Sequence, residues 1–222
     1  MIYAPLTAPF LLLLVLLLVL LIVLIEVRVL AYAYRKIGVN PRYVIVVLIL
    51  SLVGSHVNVP LYSVPVAHVS SPGVVWLFGQ AYVTPPVVQR GVTIVAINVG
   101  GALIPILVSI YLAMRTRLWG RMLVGTAIVA VVVHALAEIV PGVGIAVPML
   151  LPPLIAAAVG LVLSFRRAPP VAYVAGSMGT LIGADLLNLG RIARLGAPII
   201  SIGGAGTFDG VFLTGIIAGL LA

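Results

Sequence analysis

Residues 9–31 read PFLLLLVLLLVLLIVLIEVRVLA, an apolar run interrupted only by Glu26 and Arg28. About 20 apolar residues in a helix cross the hydrocarbon core of a bilayer, so this run predicts a transmembrane helix. It is longer than the apolar core of a signal peptide, and no basic stretch precedes it. We therefore expect an uncleaved first span that is followed by the basic residues Arg35 and Lys36.

Further apolar runs recur along the 222-residue chain. The composition is 64% hydrophobic and 7% charged, whereas soluble domains have about 25% charged residues. This excludes an ordinary soluble protein and predicts an all-α fold, a polytopic membrane helix bundle that forms a single domain over residues 1–222. The predicted bundle has about seven transmembrane helices, at residues 9–31, 43–58, 91–113, 121–140, 145–164, 171–190 and 204–222.

The net charge of +8 is distributed as in a membrane protein rather than a nucleic-acid-binding protein. Basic residues cluster between alternate spans, as the positive-inside rule describes. We therefore predict an integral membrane protein with its N-terminus outside and its C-terminus cytoplasmic, whose partner is membrane lipid. The chain has no cysteine, and we expect no cofactor. The clusters that carry this argument are Arg35, Lys36 and Arg42; Arg115, Arg117 and Arg121; and Arg166 and Arg167.

The connection between the second and third spans, residues 59–89, is rich in proline and β-branched residues. Such a composition disfavours a helix and predicts extended strands with turns. Its aromatic residues suit the bilayer interface. We expect an extended outer cap, which either rests on the bundle or acts as a lid over a cavity.

The chain has only four acidic residues, and all lie inside or at the mouth of an apolar segment. An ionisable group at the bilayer centre costs about 2.5–3.5 kcal/mol on insertion scales, and such groups usually serve a function. The predicted spans place Asp185, Asp209 and Asn98 at a similar depth near the outer side. They also place His134 and Glu138 one helical turn apart on the fourth span. The sequence therefore predicts one polar cavity open to the outer side.

Glycines accompany these polar residues. The segment 203–210 reads GGAGTFDG, which predicts an irregular helix start that exposes backbone N–H groups. Gly176, Gly179 and Gly183 recur along one side of the sixth span and predict close helix packing. We expect this stripe to dock the sixth span on the seventh, bringing Asp185 towards Asp209.

Two carboxyl groups in a shielded site can share one proton, so that one activates water while the other protonates an amide leaving group. Asp185 and Asp209 are therefore the predicted catalytic residues, and a transmembrane peptide is the expected substrate. The residues expected to bind the substrate are Asn98, Asn188, Gly204, Gly206, Thr207, His134 and Glu138.

The segments that carry the two aspartates resemble the GxGD intramembrane aspartyl proteases. That class has Gly-x-Gly-Asp, whereas here Thr207 and Phe208 separate Gly206 from Asp209. The resemblance implies intramembrane proteolysis by the two aspartates. As a whole, the chain resembles a family of uncharacterised prokaryotic multi-pass membrane proteins, which implies a shared multi-span fold without a known activity. The segments that carry this second resemblance are residues 54–60, 142–148, 183–188 and 203–210.

Three other hypotheses remain open. A proton- or cation-coupled transporter or channel could use the same acidic cavity. A metal site could combine His134 and Glu138 with His56 or an aspartate, although the full zinc-protease motif is absent and we assign no metal ligand. A scaffold without catalysis is the fourth hypothesis. The sequence does not indicate an oligomeric state.

Overall fold

The computed structural model describes residues 8–66, 73–77, 80–84, 91–140, 144–194, 198–204 and 210–222. This part of the chain contains seven α-helices and seven β-strands. The helices are α1 Ala8–Lys36, α2 Pro41–Gly54, α3 Ile104–Thr116, α4 Trp119–Leu136, α5 Leu151–Leu163, α6 Ala168–Thr180 and α7 Gly210–Leu221. The strands are β1 Asn58–Val66, β2 Gly73–Leu77, β3 Gln80–Thr84, β4 Gly91–Asn98, β5 Glu138–Val140, β6 Gly144–Ala146 and β7 Ile199–Ile202.

The helices are apolar, as expected for a membrane protein, but they are not seven full spans. Four helical segments within the described residues have the length and composition to cross a bilayer: Phe10–Lys36, Val99–Thr116, Trp119–Leu136 and Phe165–Arg191. The other three helices, α2, α5 and α7, are apolar and shorter. The prediction of a mainly helical, multi-pass fold therefore agrees with the structure. The all-α class is wrong because strands complete several of the predicted spans.

The strands form in segments whose β-branched residues and prolines disfavour a helix. Extended structure is confirmed at β1, β2 and β3, in the segment predicted as a cap. The predicted third span begins instead with β4, whose run Val92-Thr93-Ile94-Val95 favours strand. β1 pairs with β4 antiparallel, and β4 pairs with β7 parallel. A second correction concerns β5 and β6, which pair with each other inside the predicted fourth and fifth spans.

Two helices carry a π-helical turn at the end that faces the sheet. Val99–Leu103 precedes α3, and Leu181–Asp185 follows α6 and leads into a 3₁₀ segment that ends at Arg194. Pro105 accounts for the first turn, because it has no N–H to donate to the carbonyl of Gly101. These turns place irregular backbone next to the three-stranded sheet.

α6 is the central helix, and its glycines allow neighbouring helices to pack closely against it. A Cβ atom on Gly179 would approach the Val129 Cβ to 2.6 Å, and one on Gly183 would overlap the Ala130 carbonyl. Both neighbours lie on α4, so the expected docking on the seventh span is wrong for Gly179 and Gly183. It is confirmed for Gly176, where a Cβ would lie 3.2 Å from Thr214 of α7. α7 also packs on α6 through Gly215, where a Cβ would overlap the Ser177 hydroxyl.

Most basic residues gather at one end of the bundle. Lys36 Nζ donates to the Leu220 carbonyl at 2.6 Å, which joins the C-terminal ends of α1 and α7. Arg115 Nη1 donates to the Gly38 carbonyl at 2.6 Å, and Arg121 Nη1 donates to Ser164 Oγ at 3.0 Å. The same helices run from this end to the sheet. The sheet and both π-turns therefore lie at the end opposite the basic residues.

Candidate functional site

Asp185 is the acidic residue that the structure ties to the predicted glycine segment. It ends the second π-turn and is half-buried. Its Oδ2 accepts a hydrogen bond of 2.7 Å from the Gly203 backbone N–H, which lies 18 residues further along the chain. Gly203 and Gly204 have φ values of 86° and 81°, in the left-handed region that favours glycine. The turn that follows β7 is therefore held against Asp185.

Gly203 also packs against the first π-turn. A Cβ on Gly203 would lie 2.6 Å from the Ala102 Cβ, and a Cβ on Gly101 would overlap the Gly203 carbonyl. Only glycine fits both positions without displacing backbone. Gly203 thus lies between the Asp185 carboxylate on one side and Gly101 and Ala102 on the other.

Asn98 links the sheet to the end of α2. It is 1% exposed, and its Nδ2 donates to the Ser55 carbonyl at 2.7 Å and to Asn58 Oδ1 at 3.1 Å. Its Oδ1 accepts from the Gly101 N–H at 2.7 Å and so caps the π-turn. Asn58 Oδ1 also accepts from Ser201 Oγ at 2.5 Å, which ties in β7. The polar atoms of Asn98 are therefore used within the protein, in a capping role that the sequence did not specify.

Asn188 and His134 form a second polar group. Asn188 Nδ2 donates to the carbonyls of Gly183 and Ala184, at 3.1 Å and 2.9 Å, and lies 3.3 Å from His134 Nδ1. Asn188 is 1% exposed, and its Oδ1 is buried with no hydrogen-bond partner among the described residues. α4 ends at Leu136, so Glu138 is exposed on β5. The expectation that His134 and Glu138 share a helix face is therefore wrong.

The predicted site is only partly visible in the described residues. Asp185, Gly204 and Asn98 lie around the turn at Gly203, and His134 and Asn188 lie beside Gly183. Gly206, Thr207 and Asp209 lie outside the described residues, and so does the predicted Asp185–Asp209 pair. Across the described ranges, no group of three or more His, Asp or Glu residues is placed to hold a metal ion.

Buried hydroxyl groups between the basic end and Asp185 were not predicted as functional. Tyr173, Ser177 and Thr180 follow one another at i, i+4 and i+7 on α6, so they share a face. Tyr34 of α1 packs on Tyr173 with ring centroids 6.4 Å apart. These hydroxyls are buried, and those of Tyr34, Tyr173 and Ser177 lie close to one another. The spacing of the three α6 residues is the sequence signal that could have identified them.

Comparison with known proteins gives a family without an assigned activity. No curated protein and no solved structure matches the chain. Residues 52–221 match the model of a family described as protein of unknown function, DUF1614. The match begins within α2 and covers the sheet, both π-turns and every described residue around Asp185. Since it extends over more than half of the sequence, the chain belongs to the DUF1614 family.

Proposed function

We propose that this protein is an intramembrane aspartyl-type protease that uses Asp185 and Asp209. The observation that carries the proposal is the hydrogen bond between Asp185 Oδ2 and the Gly203 N–H. It joins the acid at the end of the second π-turn to the glycine turn that precedes Asp209 in the sequence, and Asp209 is followed directly by α7. The two segments that resemble the GxGD proteases are thereby adjacent at Gly203.

The edge of the sheet supports a peptide substrate. In the described part of the chain, β7 is an edge strand of the sheet β1-β4-β7, and it ends one residue before Gly203. An extended peptide can add to such an edge through main-chain hydrogen bonds. A peptide bond is accessible to water only when the substrate helix unwinds locally. A segment paired with β7 would extend towards the Asp185 carboxylate.

The hydrogen bond also suggests which acid has which role. The Gly203 N–H holds the Asp185 carboxylate in one orientation, as a general base requires. We therefore assign Asp185 as the base that takes a proton from water, while the hydroxide adds to the peptide carbonyl carbon. Asp209 then gives its proton to the leaving nitrogen as the C–N bond breaks, and the two acids exchange roles for the next cycle.

Cleavage of a fluorogenic transmembrane peptide by the purified chain in proteoliposomes tests the proposal. We expect Asp185→Asn and Asp209→Asn each to lower cleavage by roughly 10²-fold or more, since each removes a proton-transfer group. Arg191→Gln is the matched control, because it also replaces a charge by an amide on the exposed surface of the segment that follows Asp185. Equal cleavage by Asp185→Asn and Arg191→Gln would contradict the proposal.

The second candidate is a proton- or cation-coupled transporter that uses the same Asp185. The buried hydroxyls of Tyr34, Tyr173, Ser177 and Thr180 favour it, because they add polar groups between the basic end and Asp185. Helices interrupted by irregular turns, such as the two π-turns, also build ion sites in transporters. Proton flux into liposomes that is lost in both Asp185→Asn and Tyr173→Phe, without peptide cleavage by the parent, would favour transport.

A further inference from the structure

A groove of about 290 Å³ lies between α2 and α3, away from Asp185. Its lining residues recur at helical spacing over seven residues of each helix, so it is about 10 Å long at 1.5 Å per residue. Val46, Leu50 and Leu107 in its walls are 50–60% exposed, which leaves the groove open to the surrounding lipid. The residues that define its two sides are Tyr43, Val46 and Leu50 of α2 and Ile104, Leu107 and Tyr111 of α3.

Two tyrosines place one end of this groove at the bilayer surface. Tyr43 is two residues after the start of α2 at Pro41, and Tyr111 is five residues before the end of α3 at Thr116. Both of these helix ends belong to the basic end of the bundle. Tyrosine is enriched where the hydrocarbon core meets the headgroups. The groove therefore runs from the headgroup region into the hydrocarbon core.

The Arg115 side chain is held at the basic end of the groove. Arg115 follows Tyr111 by one helical turn on the same face of α3. Its Nη1 donates to the Tyr111 hydroxyl at 2.8 Å and to the Gly38 carbonyl at 2.6 Å, and its Cζ lies 5.9 Å from the centroid of the Tyr111 ring. Val39, which follows Gly38, also lines the groove. The guanidinium is therefore fixed where the groove meets the bilayer surface.

The other edge of this guanidinium is available to an anion. A guanidinium has five N–H donors, and both hydrogen bonds of Arg115 to the described chain use Nη1. Nε and Nη2 form no hydrogen bond or ion pair with any described residue. Adjacent N–H groups of this kind form the fork that binds two oxygens of a phosphate or carboxylate. The arginine is thus positioned by the protein while its fork points to an anionic ligand.

The described chain supplies no carboxyl group at this end of the bundle. Glu138 and Asp185 lie beyond the ends of α4 and α6 that face the sheet. Glu26 is ten residues before Lys36 on α1, or about 15 Å along the helix. A parallel second copy of the chain would bring the same basic residues to this end, and like charges repel. The anion that complements Arg115 therefore comes from another molecule.

We propose that the groove between α2 and α3 binds one anionic phospholipid from the leaflet at the basic end. Arg115 Nε and Nη2 donate to the phosphate oxygens, and one acyl chain lies along Val46, Leu50 and Leu107. The hydrocarbon of one leaflet is about 15 Å thick, so a groove of about 10 Å holds most of such a chain. A net negative headgroup is preferred, because the ammonium group of a zwitterionic lipid would meet the basic residues at this end.

Native mass spectrometry of the purified full chain tests this proposal, in detergent titrated with phosphatidylglycerol or with phosphatidylcholine of the same acyl chains. We expect one phosphatidylglycerol to bind saturably and roughly tenfold more tightly than phosphatidylcholine. Arg115→Gln should weaken phosphatidylglycerol binding by roughly fivefold or more, since it removes the fork. Arg121→Gln is the matched control, because Arg121 is also exposed at the basic end and donates through Nη1 to another segment, at Ser164. The control should keep the affinity of the parent.

A second pair of variants tests the groove while leaving every arginine in place. Leu107→Trp puts a larger side chain into the groove from an exposed position of α3, so it should also weaken phosphatidylglycerol binding. Ile110→Trp is its matched control, because Ile110 is exposed on α3 but does not line the groove. We expect Ile110→Trp to bind like the parent.

Three results would overturn the proposal. The first is equal affinity for phosphatidylglycerol and phosphatidylcholine, or binding of either without saturation, as for lipids that merely surround the bundle. The second is equal affinity within both matched pairs of variants. The third is displacement of phosphatidylglycerol by millimolar inorganic phosphate, which would assign Arg115 to a free anion instead of a lipid headgroup.

Discussion

At the scale of single residues, Asn98 shows how a polar side chain is accommodated in an apolar chain. Its amide and carbonyl groups bond the Ser55 carbonyl, Asn58 Oδ1 and the Gly101 N–H, so that a buried polar group is satisfied by three segments. Hydropathy alone identifies Asn98 as unusual, because it follows seven mostly apolar residues of β4. The partners were not predictable, because the Ser55 carbonyl is 43 residues away in sequence.

Replacing this residue should destabilise the protein. Asn98→Ala leaves the Gly101 N–H and the Ser55 carbonyl buried without their partner, and each such group costs about 1–3 kcal/mol. We expect a lower melting temperature in detergent, corresponding to a loss of roughly 2–5 kcal/mol. Asn40→Ala is the matched control, since Asn40 caps α2 through a single bond of 3.1 Å to the Arg42 N–H.

The Asn40→Ala control should lose only about 1 kcal/mol of folding stability, as is usual for a helix cap. If both asparagine variants melt at the same temperature, the buried hydrogen bonds of Asn98 contribute no more than an ordinary cap.

At the scale of secondary-structure elements, apolar runs were found correctly but were assigned to helices too often. Residues 91–98, 138–140 and 145–146 lie in predicted spans and belong to strands. A hydropathy count responds to apolar content, which a buried strand and a membrane helix share. The local signals for strands were the β-branched run at Val92–Val95 and the sequence Pro141-Gly142, which disfavours a continuous helix. The pairing of β4 with β7, by contrast, depends on distant contacts and could not be read from either segment.

The packing of α6 on α4 gives a prediction at this scale. Gly183→Ala should destabilise the protein by about 1–3 kcal/mol, because the added methyl group overlaps the Ala130 carbonyl. Gly190→Ala is the matched control on the segment that continues α6, since nothing lies within 4 Å of a Cβ there. We expect the control to stay within about 0.5 kcal/mol of the parent.

Thermal unfolding in detergent, followed by tryptophan fluorescence, distinguishes the two glycine variants. The close contact between α6 and α4 would be wrong if Gly183→Ala melted no lower than Gly190→Ala.

At the scale of the whole molecule, the charge pattern of the sequence describes the two ends well. The basic clusters found between alternate spans do gather at one end, where Lys36, Arg115 and Arg121 bond neighbouring helix ends. The sheet and the Asp185 site lie at the other end. The positive-inside rule then predicts that the basic end faces the cytoplasm.

Orientation can be measured directly, because the chain has no cysteine of its own. We expect Gln80→Cys, on the exposed strand β3, to react with a membrane-impermeant maleimide in intact cells. Arg166→Cys, exposed at the basic end, should react only after the membrane is permeabilised. The opposite labelling pattern would place the Asp185 end on the cytoplasmic side.

The unequal helix lengths have a consequence for the surrounding lipid. α1 has 29 residues and α7 has 12, or about 44 Å and 18 Å at 1.5 Å per residue. A bilayer core of about 30 Å is therefore too thick for the short helices and too thin for an upright α1. Hydrophobic mismatch of this kind is relieved by local thinning and by tilt. Lipids with shorter acyl chains should bring the Asp185 turn closer to water, so acyl-chain length would tune its access to solvent.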